Sequence, residues 1–153
     1  MPDDSKARPG RAHHPAPIMP HSSAALIEAA TAALFERGEL DAVETYFSPD
    51  YLVHLTGGEQ VPGHAGLRSV LALYKRAFSG LRAEVVILAA EGGRVAWQRT
   101  FRAVHEAAFK GFPASGRELV WRDMGASLIR GGVIVEEWVL TDLAERLLLA
   151  RKS

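Results

Sequence analysis

The stretch from Gly131 to Asp142, reading GGVIVEEWVLTD, runs a β-rich segment straight into an acidic residue at a strand-to-helix junction. If that strand lines an apolar pocket, Asp142 is placed to take a proton from a substrate, because desolvation raises a carboxyl pKa toward values useful in acid/base work. Strand alternation extends the candidate site. Glu136, Trp138 and Leu140 share one face of this strand, and the same period carries Asp142 to its rim. Trp121, Asp123, Gly125 and Ser127 share a face of the preceding strand, and Ala96, Gln98, Thr100 and Arg102 a face of the one before it. Two aromatics, two carboxylates and an amide would then converge on an apolar wall with a few directed polar groups, as a small-molecule site requires. Tyr51 and Tyr74 are further candidates for contact with a ligand.

Each member also has a structural reading. Asp142 stands at the start of the last helix with Glu145 three residues on, the arrangement of a capping box. Trp121 and Trp138 can be core residues as readily as ligand-stacking ones. Asp123, in mid-strand, can pair with Arg122 or Arg117 on an outer face, and Glu136 can serve to hold a turn or a helix. The loop GFPASG lacks the strand-to-helix context of a phosphate loop. No serine sits in a nucleophile elbow and no histidine pair has helical metal-ligand spacing, so the chemistry expected needs neither metal nor cofactor.

The elements that must position these groups fall into two halves. Leu26, Ile27, Ala30 and Leu34 recur at helical spacing, with Ser22 or Ser23 as cap and Gly38 as stop. A second short helix carries Leu40, Val43 and Phe47 and ends at Ser48-Pro49. A short strand follows over Tyr51 to Leu55, then a Gly57-Gly58 turn, then a third helix entered at Pro62-Gly63 with Leu67, Val70, Leu71, Tyr74 and Phe78 on its buried side. Four β-rich runs come next: Arg82 to Ala90, Arg94 to His105, Glu118 to Ile129 and Val133 to Leu140. They are separated by Gly92-Gly93, by the GFPASG loop and by Gly131-Gly132. Helices followed by strands predict an α+β domain: three helices on one face of a strongly curved, mostly antiparallel sheet, with a short C-terminal helix.

Composition bounds the function. The chain has 153 residues, 48% of them apolar, with no net charge and no cysteine. Disulfide scaffolds and thiol nucleophiles are thereby excluded, and the basic stripe of a nucleic-acid binder is missing. No apolar run reaches the roughly 20 residues of a membrane span, so a cytoplasmic protein without nucleic-acid or membrane partners is expected. Residues 1–21 hold five of the eight prolines and few large apolar side chains, which predicts a disordered arm ahead of a domain spanning 22–153. Its His13, His14 and His21 read as solvated.

The segments RVAWQRTFRAVHEAAFKGFPASGRELVW and GGVIVEEWVLTDLAERLL, with the order of elements, resemble the SnoaL-like polyketide cyclases of the nuclear-transport-factor-two-like superfamily. His105 matches the family's histidine at a strand end, Gly111, Pro113 and Gly116 its turn, and Glu136, Trp138 and Asp142 its final strand. His54 resembles its early pocket histidine. Departures from the pattern are Gln98 in place of an arginine, Val104 and Ser115 in place of threonines, and Asp123 where relatives carry a small residue. Arg99 falls one position off, on the other side of the strand. The resemblance implies a cofactor-independent aldol ring closure of a small apolar or polyketide-like molecule by a homodimer. Asp142, His105 and Asp123 would be catalytic, and His54, Gln98, Trp121, Trp138, Tyr51 and Tyr74 would bind substrate. Epoxide opening by activated water, using Asp123 and Asp142 with Arg102 or Arg122, and non-catalytic ligand binding are the alternatives.

Overall fold

The computed structural model describes residues 22–151, and the expected arm over 1–21 lies outside them. Helix α1 (Ser23–Thr31) starts where the Ser22 hydroxyl accepts the Ala25 N–H at 3.0 Å. It continues into a π-helical turn, Ala32–Glu36, which delivers Leu34 and Phe35 toward the sheet. A 3₁₀ turn, Leu40–Ala42, leads into the one-turn α2 (Val43–Tyr46). The sequence carries this helix through Phe47, but strand β1 (Phe47–His54) begins there, so the second helix is shorter than its apolar spacing predicts. After the short β2 (Gln60–Pro62), α3 (Gly63–Ala77) buries Leu67 and Leu71 along one side.

Four long strands complete the sheet: β3 (Phe78–Glu91), β4 (Arg94–His105), β5 (Glu118–Arg130) and β6 (Val133–Thr141). Helix α4 (Leu143–Ala150) closes the described chain. The strand order is β2-β1-β6-β5-β4-β3, antiparallel except where β1 runs parallel to β6. Gly92-Gly93 and Gly131-Gly132 have positive φ at both positions, as two-residue hairpins twisted with the sheet demand. The result is the expected α+β architecture of a curved six-stranded sheet with helices packed on one side.

The register decides which residues face the helices. Directly paired residues project to the same face. Arg99 pairs with Asp123, which pairs with Thr141; Trp97 pairs with Gly125, which pairs with Val139; Ser127 pairs with Glu137. These rows face inward. In β6 the partner of Leu128 is Glu136 while the partner of Ile129 is Ile134, so Val135 is an extra residue in the ladder. This β-bulge puts Ile134 and Glu137, three apart, on the same buried side.

The core divides into two clusters. One packs α1, α3 and β1 over Val95, Trp97 and Val139. The other gathers Phe78, Phe101, Phe109 and Trp121 against Leu143 and Leu147 of α4.

Candidate functional site

A cavity of about 80 Å³ lies between the inner sheet face and the helix layer. Its roof and walls are apolar, from Leu34 and Phe35 of the π-helical turn to Leu67 and Leu71 of α3. The sheet supplies the polar floor: Tyr51 from β1, Arg99 from β4, Asp123 from β5, Glu137 and Thr141 from β6; α3 adds Tyr74.

The floor is built from alternating strand positions. On β4, Val95, Trp97, Phe101 and Ala103 are buried, and Arg99 occupies the same parity, so its guanidinium is carried inward with them. It lies 3.9 Å from the centroid of the Trp97 ring, stacked on an aromatic face as guanidinium groups favour. Gly125 makes that stack possible: a Cβ there would stand 2.8 Å from the Trp97 ring edge. The indole N–H donates to the Ser127 hydroxyl at 2.9 Å, Ser127 donates to Glu137, and the Tyr51 hydroxyl donates to the other Glu137 oxygen at 2.7 Å. A four-residue chain therefore fixes the plane on which Arg99 rests.

Asp123 is the reactive candidate of this floor. Its side chain is 7% exposed, its Oδ2 is 3.8 Å from Arg99 Nη2, and its Oδ1 has no hydrogen-bond partner among the described residues. Burial raises its pKa, and the Arg99 charge opposes that rise only in part. The hydroxyls of Tyr51 and Tyr74 are held protonated by burial, and for Tyr51 the adjacent Glu137 adds to the effect. The cavity thus combines a buried carboxyl, Asp123, one fixed cation, Arg99, and the Tyr74 hydroxyl as a donor, beside a Tyr51–Glu137 pair already bonded to each other.

The residues singled out by the sequence are distributed over several places. Tyr51, Tyr74 and Asp123 line the cavity. Asp142 does not. Its Oδ1 accepts the Arg122 N–H at 2.7 Å and its Oδ2 accepts Arg146 Nε at 3.2 Å, so it ties β5 to α4. The expected capping bond to its own helix is not formed either. The shared-face expectation is corrected on β4 and β6. Gln98 pairs with Met124 and Met124 with Leu140, and that row faces away from the helices. Trp138 is 46% exposed on the same outer face, stacked on His54 with ring centroids 5.2 Å apart. His54 Nε2 is 2.6 Å from Glu136 Oε2, and Gln60 reaches its Nδ1 at 3.2 Å.

Trp121 is fully buried in the second cluster, beside Phe78 and Phe101, with its indole N–H unpartnered. His105, at the end of β4, is buried too, against Phe78. The Ser115 N–H donates to its Nδ1 at 3.3 Å, so the ring proton resides on Nε2, and burial lowers its pKa. Of the arginines grouped with Asp123 and Asp142 for water activation, Arg102 pairs with Glu118 at 3.0 Å, and Arg122 projects from the outer row. Arg99 and Glu137 were not among the sequence-derived site residues, although the apolar alternation around Arg99 already marks it as inward-facing.

The sequence profile of the SnoaL-like polyketide cyclases matches residues 25–148. The chain belongs to that family. Among solved structures, IdmH, a candidate polyketide cyclase from Streptomyces antibioticus, is 26% identical to this SnoaL-like chain, with a TM-score of 0.72 over 85% of it and 98% of IdmH. AclR, a candidate hydroxylase from Streptomyces galilaeus, is 26% identical with a TM-score of 0.73 over 86% of this chain and 96% of its own. A candidate polyketide cyclase from Acidithiobacillus ferrooxidans shares the fold at 22% identity and a TM-score of 0.74, covering 86% of this chain and 96% of that one. No curated protein matches by sequence. In this SnoaL-like domain no helix is long and apolar enough to cross a membrane, and no cluster of metal-ligating side chains occurs among the described residues.

Proposed function

We propose that the protein is a small-molecule enzyme that performs cofactor-independent acid/base chemistry on a carbonyl compound, of the polyketide cyclase type, with Asp123 as the proton-transfer group. The observation that carries this reading is the buried Asp123 carboxyl, its Oδ1 without a partner among the described residues, beside a stacked arginine on the polar floor of a cavity with an apolar roof. In its ionised form Asp123 takes a proton from the carbon next to a ketone. The enolate oxygen that develops is stabilised by the Arg99 guanidinium and by the hydroxyl of Tyr74, each well-placed donor being worth roughly 3 kcal/mol. The enolate carbon then attacks a second carbonyl of the same molecule. The new alkoxide receives its proton from Asp123, so the carboxylate is regenerated. The apolar roof favours the folded substrate over its extended, hydrated form.

The test is hydrogen–deuterium exchange at the α-carbon of aryl 1,3-diketones in D₂O, followed by NMR, which reads proton abstraction without knowledge of the natural substrate. Wild-type protein should accelerate exchange, Asp123→Asn should abolish the acceleration, and Asp142→Asn should retain it. Retention in Asp123→Asn with loss in Asp142→Asn would move the base back to the strand-helix junction. A second reading, water activation against an epoxide, is favoured by the same Asp123–Arg99 pair with Tyr51 at hand. Incorporation of oxygen from labelled water into a diol would select it.

We further infer that the outer sheet face joins a second copy of the chain. Val86, Leu88, Met124, Trp138 and Leu140 are all about half exposed or more on it, an apolar surface that a solvated sheet face would not carry. Leu140→Lys should convert a dimer to a monomer in sedimentation velocity; an unchanged dimer would place the interface elsewhere.

A further inference from the structure

Arg99 raises a question of hydrogen bonding that the protein itself does not answer. Its side chain is 9% exposed, yet its buried Nε–H has no hydrogen-bond partner among the described residues. The nearest carboxylate oxygen, on Asp123, is 3.8 Å away, too long for a hydrogen bond. One flat side of the guanidinium is covered by Trp97, and Phe35 and Phe101 stand at 5.1 and 5.6 Å. Aromatic rings can cover the faces of a guanidinium but cannot satisfy the N–H groups at its edge. A buried guanidinium with an unpartnered N–H is costly unless something completes it. Glu137 does not do so: the nearest carboxylate to Arg99 is that of Asp123, and the Glu137 oxygens accept from Tyr51 and from Ser127.

We propose that Arg99 anchors a free carboxylate on the substrate, so that the cavity takes a short oxo-carboxylic acid whose acid end sits on the sheet floor and whose apolar end meets the helix roof. A planar carboxylate matches the guanidinium edge with two parallel hydrogen bonds, which a neutral ester or a lone ketone cannot do. The surroundings agree with an anionic guest. Asp123 Oδ2 stands 3.8 Å from the guanidinium, outside hydrogen-bond range, and the Tyr74 hydroxyl, kept protonated by burial, lines the same cavity as a donor. The apolar residues lie opposite, on α3 and the π-helical turn, and give the cavity one charged end and one greasy end. At about 80 Å³ it suits a compact ligand and not several fused rings.

The inference rests on the reading of this cavity as the substrate site, and the experiment separates the two. The full chain is titrated with 4-methyl-2-oxopentanoate and with its methyl ester, followed by ¹H–¹⁵N correlation spectra in which the Trp97 indole N–H reports on the cavity. The acid should bind about 10- to 100-fold more tightly than the ester, the range expected for hydrogen bonds to a charged group. Arg99→Gln should erase that preference, and Arg99→Lys should keep only part of it. Equal binding of acid and ester, both shifting Trp97, overturns the anchor and leaves the cavity standing as the site. Failure of both ligands to shift Trp97 overturns the anchor and the cavity reading together. If Arg99→Gln does not fold, as far-UV circular dichroism would show, the acid-to-ester ratio in the wild type decides alone.

Discussion

Replacing Glu137 by Gln tests whether the chain from Tyr51 through Glu137 and Ser127 to Trp97 holds the site in shape. Glu137 is 5% exposed, and its two oxygens accept from two different hydroxyls. Glutamine keeps the volume and one acceptor oxygen but turns the other acceptor into a donor, which the second hydroxyl can still meet by rotating. Hydrogen bonds to a charged group are worth about 1 to 1.5 kcal/mol more than neutral ones, so weakening both costs roughly 2 to 3 kcal/mol. At this chain length that lowers Tm by roughly 5 to 10 °C. Glu137→Ala should cost more, roughly 2 to 6 kcal/mol, because the Tyr51 and Ser127 hydroxyls are then left buried without an acceptor. Urea denaturation with an unchanged m-value measures both, and near-UV circular dichroism reports whether Trp97 has lost its fixed plane. A Glu137→Gln protein as stable as the wild type, with an unaltered near-UV spectrum, would refute the argument that this network orients Trp97 and, through it, Arg99.

Four further outcomes are expected. Because burial raises the Asp123 pKa, the acidic limb of the α-proton exchange rate should lie above the ordinary carboxylate value of 3.8. The proton held by folded Asp123 stabilises the fold at low pH, and that contribution is lost as pH rises through the raised pKa; Asp123→Asn should therefore be at least as stable as wild type at neutral pH while exchange falls by about 10² to 10⁴. His105 is held neutral by burial, so unfolded chains take up its proton first and stability should fall as pH drops below 6.5; His105→Gln should flatten that decline in a series of urea melts. Gly125→Ala should cost about 1 to 3 kcal/mol in the same assay, since the added methyl meets the Trp97 ring and the Trp138 carbonyl.

Much of the fold was legible in the sequence because its punctuation is local. The diglycine hairpins, the Ser22 cap and the amphipathic third helix each declare themselves within a few residues. The site was legible only in part. Asp123, Tyr51 and Tyr74 stand among the sequence-derived candidates; Arg99 does not, although it sits in a row with Val95, Trp97 and Phe101. Counting back from Asp142 in steps of two selected Glu136 and Trp138, and the bulge at Val135 is what makes Glu137 and Ile134 the inward pair. A bulge leaves no mark in hydrophobic alternation when valine and isoleucine stand on both sides of it. The role of Asp142 turned on a partner, the Arg122 amide, that lies 20 positions away and is set by the meeting of β5 with α4.

The parallel seam between β1 and β6 bears on how the molecule comes together. Contacts across it, such as His54 with Glu136, join positions 82 apart, whereas β3 to β6 are linked in sequence order. Closing so long a loop carries an entropic cost that short hairpins avoid, so the meander should assemble early and the N-terminal third dock last. Tyr51, Leu34 and Phe35 belong to that segment, so the chamber should form only when it docks. The same segment is then the cheapest to release from the native state, giving a guest molecule a way in, and amide exchange should be faster along β1 than along β4.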